Sequence, residues 1–409
     1  MLAAARAHFE QIFSEARYRA FLDAVTAGAG VPIGFRLSET PCFFSSALMK
    51  SLVGAAETMT RQLLDNAAYR KAADAMVPER FRLTGGEDLP TCVQVDCGLV
   101  RTESGEVEGR LVELQAFPSL YGFQMLLAEE ALNYVGRDFR PTGHGGPEGP
   151  PYELTPYLSG LNRDSYRALL RHTLVGPHDP ANVVLMEIDP LQQKTLPDFT
   201  VTEAEWGIRA VDTQEVIREG RRLFYRRDGR LTPITRIYNR VIPDELVRSR
   251  TTMPFHYGDD LDVEWIGGPD WFFRISKFSI PWLKHPWVPE THFLSQVTAM
   301  PPNRDEWLLK PLFSFAGGGI IFGPTDNDIA AIPPHQRHLF ILQRRVAFTP
   351  VIRTPEGDTQ AELRIMMVRE DNGYRAVMPL VRMGRGKMMG VDHNKGLRFV
   401  GAAAALIAD

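Results

Sequence analysis

Trp307-Leu-Leu-Lys-Pro-Leu-Phe-Ser-Phe-Ala-Gly-Gly-Gly-Ile-Ile-Phe-Gly323 is the stretch whose reading decides the fold. It reads as a strand ending in Lys310-Pro311, a loop carrying Gly317, Gly318 and Gly319, and a second strand. Glycines lack a Cβ and can turn successive backbone N–H groups toward an anion, and Lys310 sets a positive charge beside them. The GxxxxGK[ST] spacing of a Walker A loop is absent, and no GxGxxG follows the early strands, which argues against P-loop and dinucleotide-binding readings. A run of three glycines is also a common tight turn, so the flanking sequence carries the decision.

Upstream, Lys277 precedes Lys310 by 33 residues within Arg274-Ile-Ser-Lys-Phe-Ser-Ile-Pro-Trp-Leu-Lys-His-Pro-Trp-Val-Pro-Glu-Thr291. Downstream, Phe340-Ile-Leu-Gln-Arg-Arg-Val346 and Ala361-Glu-Leu-Arg-Ile-Met-Met-Val368 read as strands, followed by the basic, glycine-rich Arg382-Met-Gly-Arg-Gly-Lys-Met-Met389 and Asn394-Lys-Gly396. Far earlier, Cys92-Val-Gln-Val-Asp-Cys-Gly-Leu-Val100 and Arg110-Leu-Val-Glu-Leu-Gln-Ala-Phe117 suggest an antiparallel hairpin. Side chains alternate along a strand, so Glu113 and Gln115 share one face, and Asp96 on the neighbouring strand can join them.

The remaining chain reads as scaffold. Phe9, Ile12, Phe13, Ala16, Ala20, Phe21 and Val25 recur at helical spacing and predict one amphipathic helix ending at Gly28-Ala-Gly30. A second helix starts at Ser45 or Ser46, residues suited to an N-cap. Gly136 to Pro151 holds five glycines and four prolines and reads as an inter-lobe loop or hinge. Beyond it, Asn182 to Ile188 predicts a buried strand, Thr213 a short helix, and Asp228-Gly229 a hairpin turn.

At 409 residues the chain exceeds one ordinary core, and we expect lobes at 1–138, 152–245 and 246–409 around a cleft. Forty-six basic against fifty acidic residues leave no surplus for a dedicated nucleic-acid surface. Cys42, Cys92 and Cys97 form neither a CxxC pair nor a zinc spacing, so a reducing, cytoplasmic setting is expected. No apolar run is long enough for a membrane span, and the first residues lack the pattern of a secretory signal. His144, His256, His285, His292 and His393 are scattered, and no nucleophile elbow stands out, which argues against covalent catalysis by the protein.

Taken in order, these segments resemble the ATP-grasp enzymes in their circularly permuted branch, of the eukaryotic glutathione synthetase and glutathionylspermidine synthase type. The Asp96 and Glu113-Leu-Gln-Ala segments, similar to the family's metal-binding strands, precede the nucleotide-binding elements instead of following them. The resemblance implies an α+β, circularly permuted ATP-grasp fold with an inserted α/β substrate lobe. It implies that Lys277, Lys310, Gly317, Gly318, Gly319, Gln343, Arg345, Val346 and Lys387 contact ATP, with Glu362 orienting Arg364. Asp96, Glu113 and Gln115 would hold Mg²⁺, while Arg240, in Ile237-Tyr-Asn-Arg240, and Arg364 would steady the reacting groups. The implied activity is ATP-dependent joining of a small-molecule or peptide carboxylate to an amine through an acylphosphate, without nucleic-acid or membrane partners. Two departures stand out: Gln115 where the family has Asn, and Ser314 where it has a metal-binding Glu. They keep a non-catalytic nucleotide-binding scaffold open beside the ligase, as a phosphotransferase using the same cleft also is. A plain structural protein would require the ordered motifs to be coincidence, and one sequence leaves the oligomeric state open.

Overall fold

Along Cys92–Arg101 the odd-numbered Val93, Val95 and Cys97 are apolar while Gln94 and Asp96 are polar, and every one of them is buried. A strand with this pattern needs a core on one face and a set of polar partners on the other. The computed structural model, which describes residues 1–136, 153–314, 317–386, 389, 394 and 396–409, supplies both. The predicted hinge at 136–151, apart from Gly136, and Lys387 lie outside the described residues.

The strand sits in a six-stranded sheet ordered Cys42–Ser45, Gly401–Ala408, Gly373–Gly384, Gln360–Glu370, Cys92–Arg101, Val107–Gln115. The first two pair in parallel and all other neighbours antiparallel. Strands from the first third of the chain therefore complete a sheet begun by the last. One face packs on the helix Ser46–Leu64, where Leu52, Ala56, Met59 and Leu63 meet Val93, Val95, Leu363 and Ile365. Ser45 caps that helix by accepting the Leu48 N–H, as its sequence suggests. The opposite face packs on the helix Tyr121–Val135, with Phe123, Leu127 and Ala131 against Met366, Met378 and Leu406. Glu362, Arg364 and Met366 share this second face by alternation, so it is apolar at one end and charged at the other.

Two smaller sheets flank the charged end. An antiparallel sheet ordered Thr291–Phe293, Phe340–Arg344, Trp307–Pro311, Ile321–Phe322 carries Lys310 and Gln343. A parallel sheet ordered Glu264–Ile266, Arg236–Asn239, Val183–Glu187, Arg209–Asp212 leads into Arg240. A three-stranded sheet, Ile217–Glu219, Arg222–Arg227 and Arg230–Ile234, turns at Asp228-Gly229, where both residues have positive φ of 51° and 79°. That matches the expected hairpin turn.

Two local expectations are corrected. The first amphipathic stretch is two helices, Ala3–Ile12 and Glu15–Ala29, because Phe13 is extended and Ser14 opens a new helix by capping Arg17 N–H. Thr213 starts no helix; its N–H donates to Glu187 O at 2.9 Å and the chain turns directly toward the next strand. Among the described residues no helix is long and apolar enough to cross a membrane.

The parallel sheet ends in a buried carboxyl. Burial pushes Glu187 up from 4.5 to about 8, against the opposing pull of Arg240 and the Ile188 N–H. The folded protein thus binds this proton more tightly than the unfolded chain, so stability falls as pH rises from 4.5 to about 8 and levels off above that. Glu187→Gln, which cannot ionise, is expected to flatten this part of the profile in urea denaturation followed across the window. An unchanged slope would refute a buried, proton-holding Glu187.

Candidate functional site

At the charged end of the six-stranded sheet, register sets Asp96 opposite Glu113 on one side and Arg364 on the other. Asp96 Oδ1 accepts from Arg364 Nε at 2.6 Å, and Oδ2 from Arg364 Nη2 at 2.7 Å and Arg382 Nη2 at 2.6 Å. This is a two-pronged guanidinium–carboxylate contact reinforced by a second arginine. Burial would raise the Asp96 carboxyl, but the two guanidinium groups outweigh it and hold it below the usual carboxylate range. Arg364 Nη1 also donates to Gln94 Oε1 at 3.1 Å and Ser119 Oγ at 3.5 Å. With the Gln115 amide turned so that its oxygen faces the guanidinium, Gln115 Oε1 accepts from Arg364 at 2.5 to 3.3 Å. The N–H groups of Arg364 are thereby spent inside the protein.

Arg382, which the sequence reading passed over, differs. Its Nη2 is shared between Asp96 and Glu362 Oε1 at 2.5 Å, while its Nε has no hydrogen-bond partner among the described residues. Glu362 faces Arg382 in register and pairs with it, so Asp96, not Glu362, orients Arg364. Burial drives the Glu362 carboxyl upward despite Arg382, with Asp96 adding repulsion.

The two lysines are buried, not exposed. Lys277 opens a short 3₁₀ helix, Lys277–Trp282, and its Nζ donates to Ser314 O at 2.7 Å and stands 3.7 Å from Glu113 Oε2. The Lys310 ammonium makes no hydrogen bond or ion pair with any described residue, although Glu113, Lys277 and Glu362 lie within electrostatic reach. Burial lowers it from 10.5 to about 8, with Glu113 pulling it up and Lys277 pushing it down. Beyond Lys310, Gly317 and Gly319 have φ of 76° and 72°, a conformation that favours glycine.

Gln343 is buried in the strand Phe340–Arg344. Arg345 donates its N–H to Glu306 O at 2.6 Å, so its backbone donor faces inward, whereas Val346 N–H has no partner among the described residues. Arg240 is buried too, with its Nη1 donating to Pro118 O at 2.8 Å and Asp198 Oδ2 at 3.3 Å and its guanidinium lying over Phe117 and Phe199. Asp198 in turn accepts the Leu120, Gly122 and Phe123 N–H groups at the start of the helix Tyr121–Val135. Arg240 and Arg364 therefore touch opposite parts of one segment, Pro118-Ser119.

These contacts decide how well magnesium fits. The ion takes hard oxygen donors in octahedral geometry. Both Asp96 oxygens accept from arginines and Gln115 faces Arg364, so at the places where metal ligands were expected these side chains hold guanidinium groups. Among the described residues no group of three His, Cys, Asp or Glu side chains is placed to hold a metal. Glu113, whose side chain keeps 31% of its exposure, is the one predicted carboxylate still open to an incoming ion.

Arg382, Gln94, Ser119 and Asp198 escaped the sequence reading. A signal for the first two existed: an arginine interrupting the apolar run that follows Arg375 in the strand Gly373–Gly384, and polar residues two apart in Cys92–Arg101. Ser119 and Asp198 belong to the site only through contacts distant in sequence.

Among solved structures, the chain is similar to a glutathione synthetase-like effector, GSS30, from Globodera pallida in its apo form, at a TM-score of 0.56 and 12% identity over 96% of each chain. At that identity the likeness shows the fold: the chain has a glutathione synthetase-like architecture of mixed α/β type with several sheets. No protein-family model and no curated protein matches it.

Removing Asp96 leaves the buried Arg364 without its carboxylate and Arg382 with Glu362 alone. Asp96→Ala is expected to cost about 3–5 kcal/mol in urea denaturation, the usual penalty for breaking a buried ion pair. A loss below about 1 kcal/mol, the range of exposed pairs, would overturn the structural role given to this carboxylate.

Proposed function

We propose that this chain is an ATP-binding protein of the permuted ATP-grasp type that joins a carboxylate to an amine, with ATP supplying the leaving group. One observation carries the reading: two buried lysines, Lys277 and Lys310, converge with Arg382 and Glu113 where two sheets meet. Burying cations without enough partners is costly, and proteins retain such an arrangement where an anion is to be received. The likeness to the glutathione synthetase-like effector supports the fold part of this reading. The pairing of strands from residues 92–115 beside the strand Gln360–Glu370 supports the permuted order.

In this reading Lys310, Lys277 and the backbone of Gly317 to Gly319 grip the phosphates, and Val346 N–H meets the adenine edge. Magnesium, when bound, offsets phosphate charge, and Glu113 is the residue that would hold it. Arg382, whose Nε has no partner among the described residues, adds donors to the same phosphates. Arg364, held by Asp96, and Arg240, held by Pro118 and Asp198, act as fixed positive charges; preorganised charge of this kind stabilises developing negative charge without reorganising. The protein thereby contributes position and field, and no side chain need form a bond to substrate.

A scaffold that binds nucleotide without turnover is the second reading, favoured by the commitment of Asp96 and Gln115 to arginines.

Thermal unfolding with millimolar MgATP tests the binding step. A ligand at about 100 times its Kd adds about 2.7 kcal/mol, so Tm of the native chain should rise by several degrees, and that of Lys310→Ala should not. Equal curves with and without MgATP would remove the nucleotide reading. Given a shift, release of ADP and phosphate that depends on an added acid and amine identifies the ligase; binding with no ADP formed under any pair identifies the scaffold.

A further inference from the structure

The cleft that is read above as an ATP site has an unusual balance of charge, and the inference drawn from it rests on that reading. Four cationic side chains converge there: Lys277, Lys310, Arg364 and Arg382. Against them stand Asp96, Glu113 and Glu362, the last pushed toward its neutral form by burial. A site that grips a nucleotide through its metal places carboxylates at the mouth and lets the ion bridge to the phosphates. Here the innermost carboxylate, Asp96, is turned into a holder of guanidinium groups, and Gln115 is oriented the same way. Ser314, at the remaining family ligand place, offers its carbonyl to Lys277 at 2.7 Å. Of these four cations, two keep an unpartnered donor among the described residues: the buried Lys310 ammonium and the buried Arg382 Nε.

We infer that this cleft takes the nucleotide as a free polyphosphate anion, with Lys310 and Arg382 contacting the phosphates directly, so that binding does not depend on a divalent metal. Any magnesium serves the chemical step and not the grip. The recognised chemistry is a linear chain of phosphates, so inorganic tripolyphosphate is a sufficient probe of the same contacts.

Isothermal titration of the full chain with ATP in excess EDTA, with MgATP, and with tripolyphosphate in EDTA separates the possibilities. The expected result is an ATP Kd in EDTA within about threefold of that for MgATP, with tripolyphosphate competing. Lys310→Ala should weaken ATP at least about tenfold in EDTA and in magnesium alike. If MgATP binds and ATP in EDTA is weaker by about tenfold or more, the inference falls while the ATP-site reading stands. If ATP binds in EDTA yet tripolyphosphate fails to displace it, the phosphate contacts are not the grip and the inference falls as well. If no form of ATP binds, the inference and the reading beneath it fail together.

Discussion

The contact of Asp96 with Arg364 and Arg382 is the constraint from which the rest of the site follows. It joins three neighbouring strands, Cys92–Arg101, Gln360–Glu370 and Gly373–Gly384, through side chains on one face. A carboxylate this deeply buried survives only if its charge is matched and its oxygens are occupied. Two guanidinium groups meet both conditions. The contact holds Arg382, whose Nε has no partner among the described residues, and it ties the N-terminal hairpin to the C-terminal strands at the point where the cations converge.

The same economy of donors runs through the neighbouring groups. Gln94 and Ser119 absorb Arg364 Nη1, and Pro118 absorbs Arg240 Nη1, so a single short segment stands between two buried arginines. Asp198 couples Arg240 to the N-terminus of the helix Tyr121–Val135, where a negative charge also complements the helix dipole. That helix is the one covering the apolar end of the same sheet face. Packing and polar network thus share one helix, and movement at either end is resisted by the other.

Much of this was legible in the chain. Period-two alternation put Glu113 and Gln115 on one face and brought Asp96 to it, and the register agrees. The Asp228-Gly229 turn, the Ser45 cap and the strand that ends at Lys310 follow from residue chemistry within a few positions. The break at Phe13-Ser14 was hidden because apolar spacing continues across it, and only the competing cap of Ser14 decides against one helix. For Asp96 the chain gave no sign of its contacts with Arg364 and Arg382: a carboxylate suits a metal and a guanidinium equally well, and no local pattern says which arrives.

By itself, then, the sequence determined the elements, the faces on which their side chains lie, and a set of lysines, arginines and carboxylates in an order resembling permuted ATP-grasp chains. These properties are local, set by backbone sterics, alternation and capping within a few residues. Only the tertiary structure decided which charges neutralise one another, because Arg364 and Arg382 reach Asp96 across more than 260 residues of chain. It left Lys310 as the buried cation without a partner among the described residues, an outcome that depends on where every other charge was placed first.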